Sequence, residues 1–128
     1  MKKIVLAALL FAFVLGSIGY AADIKWTLVN ETKDTSVYLN LDSISSATLN
    51  DKAVKQFDVK LVSKPASDYR TDIVYLNPDN KTWTVIHEER YDNKGKLLNV
   101  KESPPTDRWN PYDDPLWKPV LDKVLERR

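Results

Sequence analysis

"VKQFDVKLVSK", Val54 to Lys64, sets Phe57, Val59 and Leu61 against Gln56, Asp58 and Lys60. A period of two sends the apolar set to one side of an extended chain and the polar set to the other, the pattern of a strand with one dry face. The same period recurs on both sides of this stretch. Upstream, "IKWTLVN" alternates Ile24, Trp26 and Leu28 with Lys25, Thr27 and Val29, and "VYLNL" alternates Val37, Leu39 and Leu41 with Tyr38 and Asn40. Downstream, "YRTDIVYL" places Tyr69, Ile73 and Tyr75 on one side, and "TWTVIHEERY" places Trp83, Val85, His87 and Tyr91 on one face. "KLLNV" closes the series.

Short turns join these runs. Asp42 and Ser43 are expected to end "VYLNL" by bonding nearby backbone donors. In "NPDNK", Asn77 to Lys81, Pro78 presets φ while Asn and Asp bond their own backbone. In "DNKG", Gly95 supplies the positive φ of a hairpin loop. Successive strands with such brief links predict an antiparallel meander of about six strands.

The C-terminal part differs in kind. "ESPPTDRWNPYDDP" is proline-rich and predicted irregular, crossing back over the sheet. "LWKPVLDKVLERR" then spaces Trp117, Val120, Leu121, Val124 and Leu125 as one helical stripe. Pro119 removes a donor, so the first turn is expected to be irregular or 3₁₀, or the helix to start near Pro119. Asp114, just before Pro115, reads as a cap. The stripe has one dry partner, a face of the sheet, and the fold class is therefore α+β, with the helix packed on one face.

The opening "MKKIVLAALLFAFVLGSIGYAA" has two lysines, an apolar run of about a dozen residues and small residues at Gly19 and Ala21. It reads as a signal peptide over residues 1–21 that leaves a single domain over 22–128. The run is shorter than the roughly 20 residues that cross a bilayer as a helix. Without a cysteine the protein cannot be a lipoprotein anchored at one, and no disulfide can staple it. Export to the periplasm or the medium is the expectation. Loss of Lys2 and Lys3 takes 19 basic side chains to 17 against 18 acidic, so no basic surplus favours nucleic acid or an anionic membrane.

No constellation of residues specifies chemistry. His87 is the sole histidine, so a closed zinc site cannot be assembled from His and Cys, and no metal or cofactor is expected. Glu88 and Glu89 are adjacent on a strand and point to opposite faces. Asp92, Asn93 and Gly95 lack the spacing of a calcium loop, and no G-x-S-x-G elbow exists. "NET" at Asn30 and "NKT" at Asn80 match the glycosylation pattern. Trp26, Trp83 and Trp117 lie on apolar stripes and are expected to fill the core. Trp109 and Tyr112 lie in the irregular crossing, where no period assigns them to the core, and with Tyr38 they are the candidate partner-binding residues.

The order of pieces carries a resemblance. A Trp-containing first strand, "VYLNLDSI", "VKQFDVKLV", "TWTVIHEERYDNKGKLLN" and a Trp-rich segment ending in an amphipathic helix resemble the surface-adhesin protein E-like family of small exported bacterial proteins, over nearly all of the chain after the leader. The resemblance implies an antiparallel sheet with a helix docked on one face. In the founding adhesin it also implies a dimer that binds host extracellular-matrix and plasma proteins. That adhesin is lipid-anchored and ties helix to sheet with a cysteine pair, and neither feature can exist here.

The function expected from these readings is a non-enzymatic, exported, adhesin-like interaction module. Its partners would be proteins of the envelope or surface, with host matrix proteins implied by the resemblance, and a homodimer could form through the low-charge edge of "VYLNL". The alternative is a periplasmic small-ligand-binding protein with Trp83, Tyr75 and Trp109 lining a groove. A third reading is a hydrolase using His87 with a neighbouring carboxylate.

Overall fold

The computed structural model describes residues 24–105 and 108–127. The leader expected over residues 1–21 lies outside them. Six strands, β1 (Thr27–Glu31), β2 (Thr35–Leu49), β3 (Lys52–Ser63), β4 (Tyr69–Asn77), β5 (Thr82–Tyr91) and β6 (Leu97–Glu102), precede one helix, α1 (Lys118–Glu126). The strands form one antiparallel sheet in sequence order, the expected meander.

Phe57, Val59 and Leu61 of β3 are buried, as their alternation requires. Val37 and Leu39 lie beside them on β2, and Val74, Leu76 and Trp83 continue the dry surface across β4 and β5. Trp117, Val120, Leu121 and Val124 complete that cluster, so the helical stripe packs where its spacing placed it. Trp83 and Trp117 stack with centroids 4.3 Å apart and join β5 to the helix start. Burying three such helix side chains is worth on the order of 5–8 kcal/mol before entropy is subtracted.

The helix needs that packing because its own capping is poor. Trp117, the N-cap, makes no side-chain cap bond, and the first turn carries no acidic residue. Pro119 is tolerated there because helix-start N–H groups lack partners anyway. Asp114 caps the turn before the helix, its Oδ1 accepting from the Leu116 and Trp117 amides at 2.9 and 3.3 Å. The carbonyls of Pro115 and Leu116 accept instead from Asn30 Nδ2 of β1, at 3.3 and 3.0 Å. The first glycosylation match thus falls on a half-buried amide already engaged in holding the helix.

The turns behave as their composition demands. Asn77 O accepts from the Lys81 amide at 2.8 Å, and Asn77 Oδ1 from Asp79 at 2.9 Å. Asp92 Oδ1 accepts from the Lys94 and Lys96 amides at 2.9 and 2.8 Å, which lowers its pKa, while Gly95 takes φ +85°. Asn50 and Asp51, both at positive φ, make the tight β2–β3 hairpin that the sequence reading did not single out.

Three expectations are corrected. β2 does not end at Asp42 but runs to Leu49 through an irregularity between Asn40 and Ser45. There Ser43 Oγ donates to Asn40 O at 2.6 Å and accepts from the Asp58 amide at 2.8 Å, so the backbone bonding belongs to Ser43 while Asp42 lies exposed. "VYLNL" lies between β1 and β3 and offers no edge for pairing. β1 starts only at Thr27, and a register shift between Leu28 and Asn30 turns Val29 toward the core, leaving Leu28 exposed.

Candidate functional site

Residues paired across adjacent strands share a face, and the register assembles two rows on the side opposite the core. One row runs Leu28, Tyr38, Lys60, Thr71, Glu89, Val100, and the next runs Glu31, Ser36, Val62, Tyr69, Tyr91, Leu97. A partial third row holds Asn40, Asp58, Ile73, His87 and Glu102. The helix lies over the other face, next to β1 and β2.

This helix-free face is unusually apolar at its margins. Among the described residues the exposed large hydrophobics are Ile24 (45 %), Leu28 (49 %), Leu97 (48 %), Leu98 (60 %) and Val100 (45 %). Leu28 belongs to this face at the β1 edge and Leu97 and Val100 at the β6 edge, while Ile24 lines a cleft on it. The interior of the face is aromatic. Tyr69 stacks on Tyr91 at 4.8 Å, and the Lys60 ammonium stands 4.6 Å from the Tyr69 ring and 6.0 Å from Trp26. Burial, reinforced by the hydrogen bond to Glu89, raises the Tyr91 pKa.

The cleft holds about 280 Å³ and is walled by Ile24 and Trp26 over Asp58, Ile73, His87, Glu89 and Tyr91. His87 Nδ1 lies 2.7 Å from Glu102 Oε2, and Nε2 lies 2.9 Å from Glu89 Oε2. A neutral imidazole donates from one nitrogen only, so two carboxylate acceptors select the doubly protonated ring. Partial burial opposes that charge, but hydrogen bonds to Glu89 and Glu102 together with their charges outweigh it and raise the His87 pKa. The Tyr91 hydroxyl donates to Glu89 Oε1. Burial also raises the Asp58 pKa, and the His87 charge offsets part of that rise.

As held, His87 is a clamp. Both nitrogens are spent on carboxylates of β5 and β6, leaving no lone pair to take a proton from a substrate. Glu88 points the other way, to Arg90 Nε at 2.6 Å and Arg70 at 3.9 Å, so the two adjacent carboxylates diverge as expected. Among the described residues no group of three or more His, Cys, Asp or Glu side chains is arranged to hold a metal ion.

The expected single face of Trp83, Val85, His87 and Tyr91 is corrected. Ile73 pairs with His87 and Val74 with Val85, so Ile86 is an extra residue that sends Trp83 and Val85 to the helix side and His87 and Tyr91 to the bare side. Trp26 is likewise outside the core, half-buried over the cleft. The groove of Trp83, Tyr75 and Trp109 does not form. Trp83 is core, Tyr75 is paired with Thr84 in the adjacent register position and so faces away from the core, and Trp109 lines a hollow beside Leu49, Val54 and Asn80.

Of the candidate contact residues, Tyr38 sits in the middle row of the bare face. Tyr112 packs against the core beside the helix, bonds Asp122, and is flanked by Lys81 and Lys118 at 4.9 and 5.3 Å. The three are not brought together. Tyr69, Tyr91, Leu97 and Val100 were not singled out from the sequence, although the odd-numbered stripe of "YRTDIVYL" already carried the signal for Tyr69. Comparison with family models, curated proteins and solved structures finds no match.

Proposed function

We propose that the protein is an exported, non-enzymatic interaction module of the surface-adhesin protein E-like kind, and that the helix-free face of its sheet docks a protein partner. One observation carries this reading: exposed leucine and valine side chains stand at both margins of a face whose centre is tyrosine and tryptophan. Apolar patches of this kind mark interaction sites, and aromatic anchors supply most interface energy. The double engagement of His87 supports a binding role over a hydrolytic one.

The partner class follows the resemblance: host extracellular-matrix proteins. Immobilised protein should retain solubilised matrix proteins with saturable dose dependence. Leu97→Glu with Val100→Lys, at exposed positions, should weaken retention at least tenfold while far-UV circular dichroism is unchanged. Equal retention by this variant and the parent would refute the assignment of the face. No retention by the parent would refute the partner class.

A further inference from the structure

Beyond the reach of the helix, the core-side face of the sheet changes character. The register row Thr27, Leu39, Val59 continues into Asp72, Glu88 and Lys101, and the row Asn30, Val37, Leu61 continues into Arg70, Arg90 and Asn99. Over this charged end lies a hollow of about 490 Å³, lined among others by Arg70, Trp83, Glu88, Lys101, Ser103 and Arg108. A hollow of that volume is the size of a small-molecule site.

Its charges do not cancel. Glu88 is shared by Arg90 and Arg70, and Asp72 faces Arg70 at 3.2 Å. Those contacts balance two arginines with two carboxylates. Among the described residues Lys101 and Arg108 make no ion pair, so within that set two cations of the hollow's rim are left over.

A second observation concerns Arg70. Asp72 is 1 % exposed, and among the described residues neither carboxylate oxygen has a hydrogen-bond partner; the Arg70 contact is an ion pair without hydrogen-bond alignment. Arg70 Nε is buried and, among the described residues, unbonded too. Burying a carboxylate this way is costly and weak as a source of stability, but it fixes the charge above it. Ion pairs to Asp72 and Glu88 hold the Arg70 guanidinium, which lines the hollow.

We propose that this hollow binds the phosphate group of a small phosphomonoester, with Arg70, Lys101 and Arg108 as its cationic contacts and Ser103 as a hydroxyl donor. The cations come from β4, β6 and the segment before α1, so three separate elements bring them to one hollow. That suits a tetrahedral dianion with several acceptor oxygens better than a planar carboxylate. This site lies on the opposite side of the sheet from the docking face and stands or falls separately.

The probes are inorganic phosphate, glycerol 3-phosphate and vesicles containing phosphatidic acid, each titrated into the purified protein at constant ionic strength and followed by calorimetry and thermal shift. Saturable binding of glycerol 3-phosphate is expected, together with a rise in melting temperature that equimolar chloride does not give. Lys101→Gln with Arg108→Gln should weaken it at least tenfold. Lys94→Gln with Lys96→Gln, the same charge change in the β5–β6 loop, should leave it within twofold. No saturable binding, equal weakening by both pairs, or binding to vesicles without binding to the soluble ester would each overturn the proposal.

Discussion

Replacing Leu121 by alanine isolates the contact on which the helix depends. Leu121 is completely buried among Trp117, Val120 and Val124 against the sheet. The change deletes three carbons, each worth about 0.8 kcal/mol of transfer free energy, or roughly 2.4 kcal/mol together. Incomplete collapse of the vacated volume adds to this and puts the expected loss at about 3–4 kcal/mol. A nine-residue helix with a proline in its first turn has little intrinsic stability to fall back on. No disulfide holds it either. Guanidinium unfolding, followed by far-UV circular dichroism and by tryptophan fluorescence from the Trp83–Trp117 stack, measures the loss. The two signals should shift together to lower denaturant, while Lys123→Ala, on the exposed side of α1, changes stability by less than about 0.5 kcal/mol. A loss below about 1 kcal/mol for Leu121→Ala would refute the idea that apolar packing alone secures the helix.

Other expectations concern titration and backbone. The His87 pKa is raised in the folded chain, so its stabilisation is complete below the unfolded imidazole value and disappears as pH rises through the folded one. Unfolding in urea across pH 5.5–8.5 should show that decline in the parent and not in His87→Gln, and amide exchange in β6 should accelerate with it. Burial, partly countered by Arg70, raises the Asp72 pKa to about 6. Between roughly pH 4 and 6 the folded state then binds the extra proton, so stability falls as pH rises through that window, and Asp72→Asn should remove this slope. Gly95→Ala meets only an ordinary contact at 3.7 Å with the Tyr69 hydroxyl, so its cost is that of a positive φ, about 1 kcal/mol by denaturant unfolding.

The first five strands and the helix were legible because each carries its own period, while β6 was legible from the turn before it, and Phe57, Val59, Leu61, Leu121 and Val124 were placed by period alone. What the period could not convey is where a strand gains a residue. The extra residues at Val29 and Ile86 invert the phase between the two sides of each, which is why Leu28 and His87 face the side opposite to the one their alternation suggested. Asp72 escaped notice for a different reason. In "YRTDIVYL" both stripes contain apolar residues, and the aromatic one faces outward while Asp72, Val74 and Leu76 are buried. The clamp of His87 by Glu89 and Glu102 joins residues two and fifteen positions away, and only the β5–β6 pairing brings the second of them near.

Amide hydrogen exchange of the protein with and without saturating matrix protein shows which face of the sheet docks the partner. Docking on the helix-free face should slow exchange in β1 and β6, the strands that carry Leu28, Leu97 and Val100, with α1 unchanged. Protection confined to α1 and residues 108–117, with β1 and β6 unaffected, would contradict it.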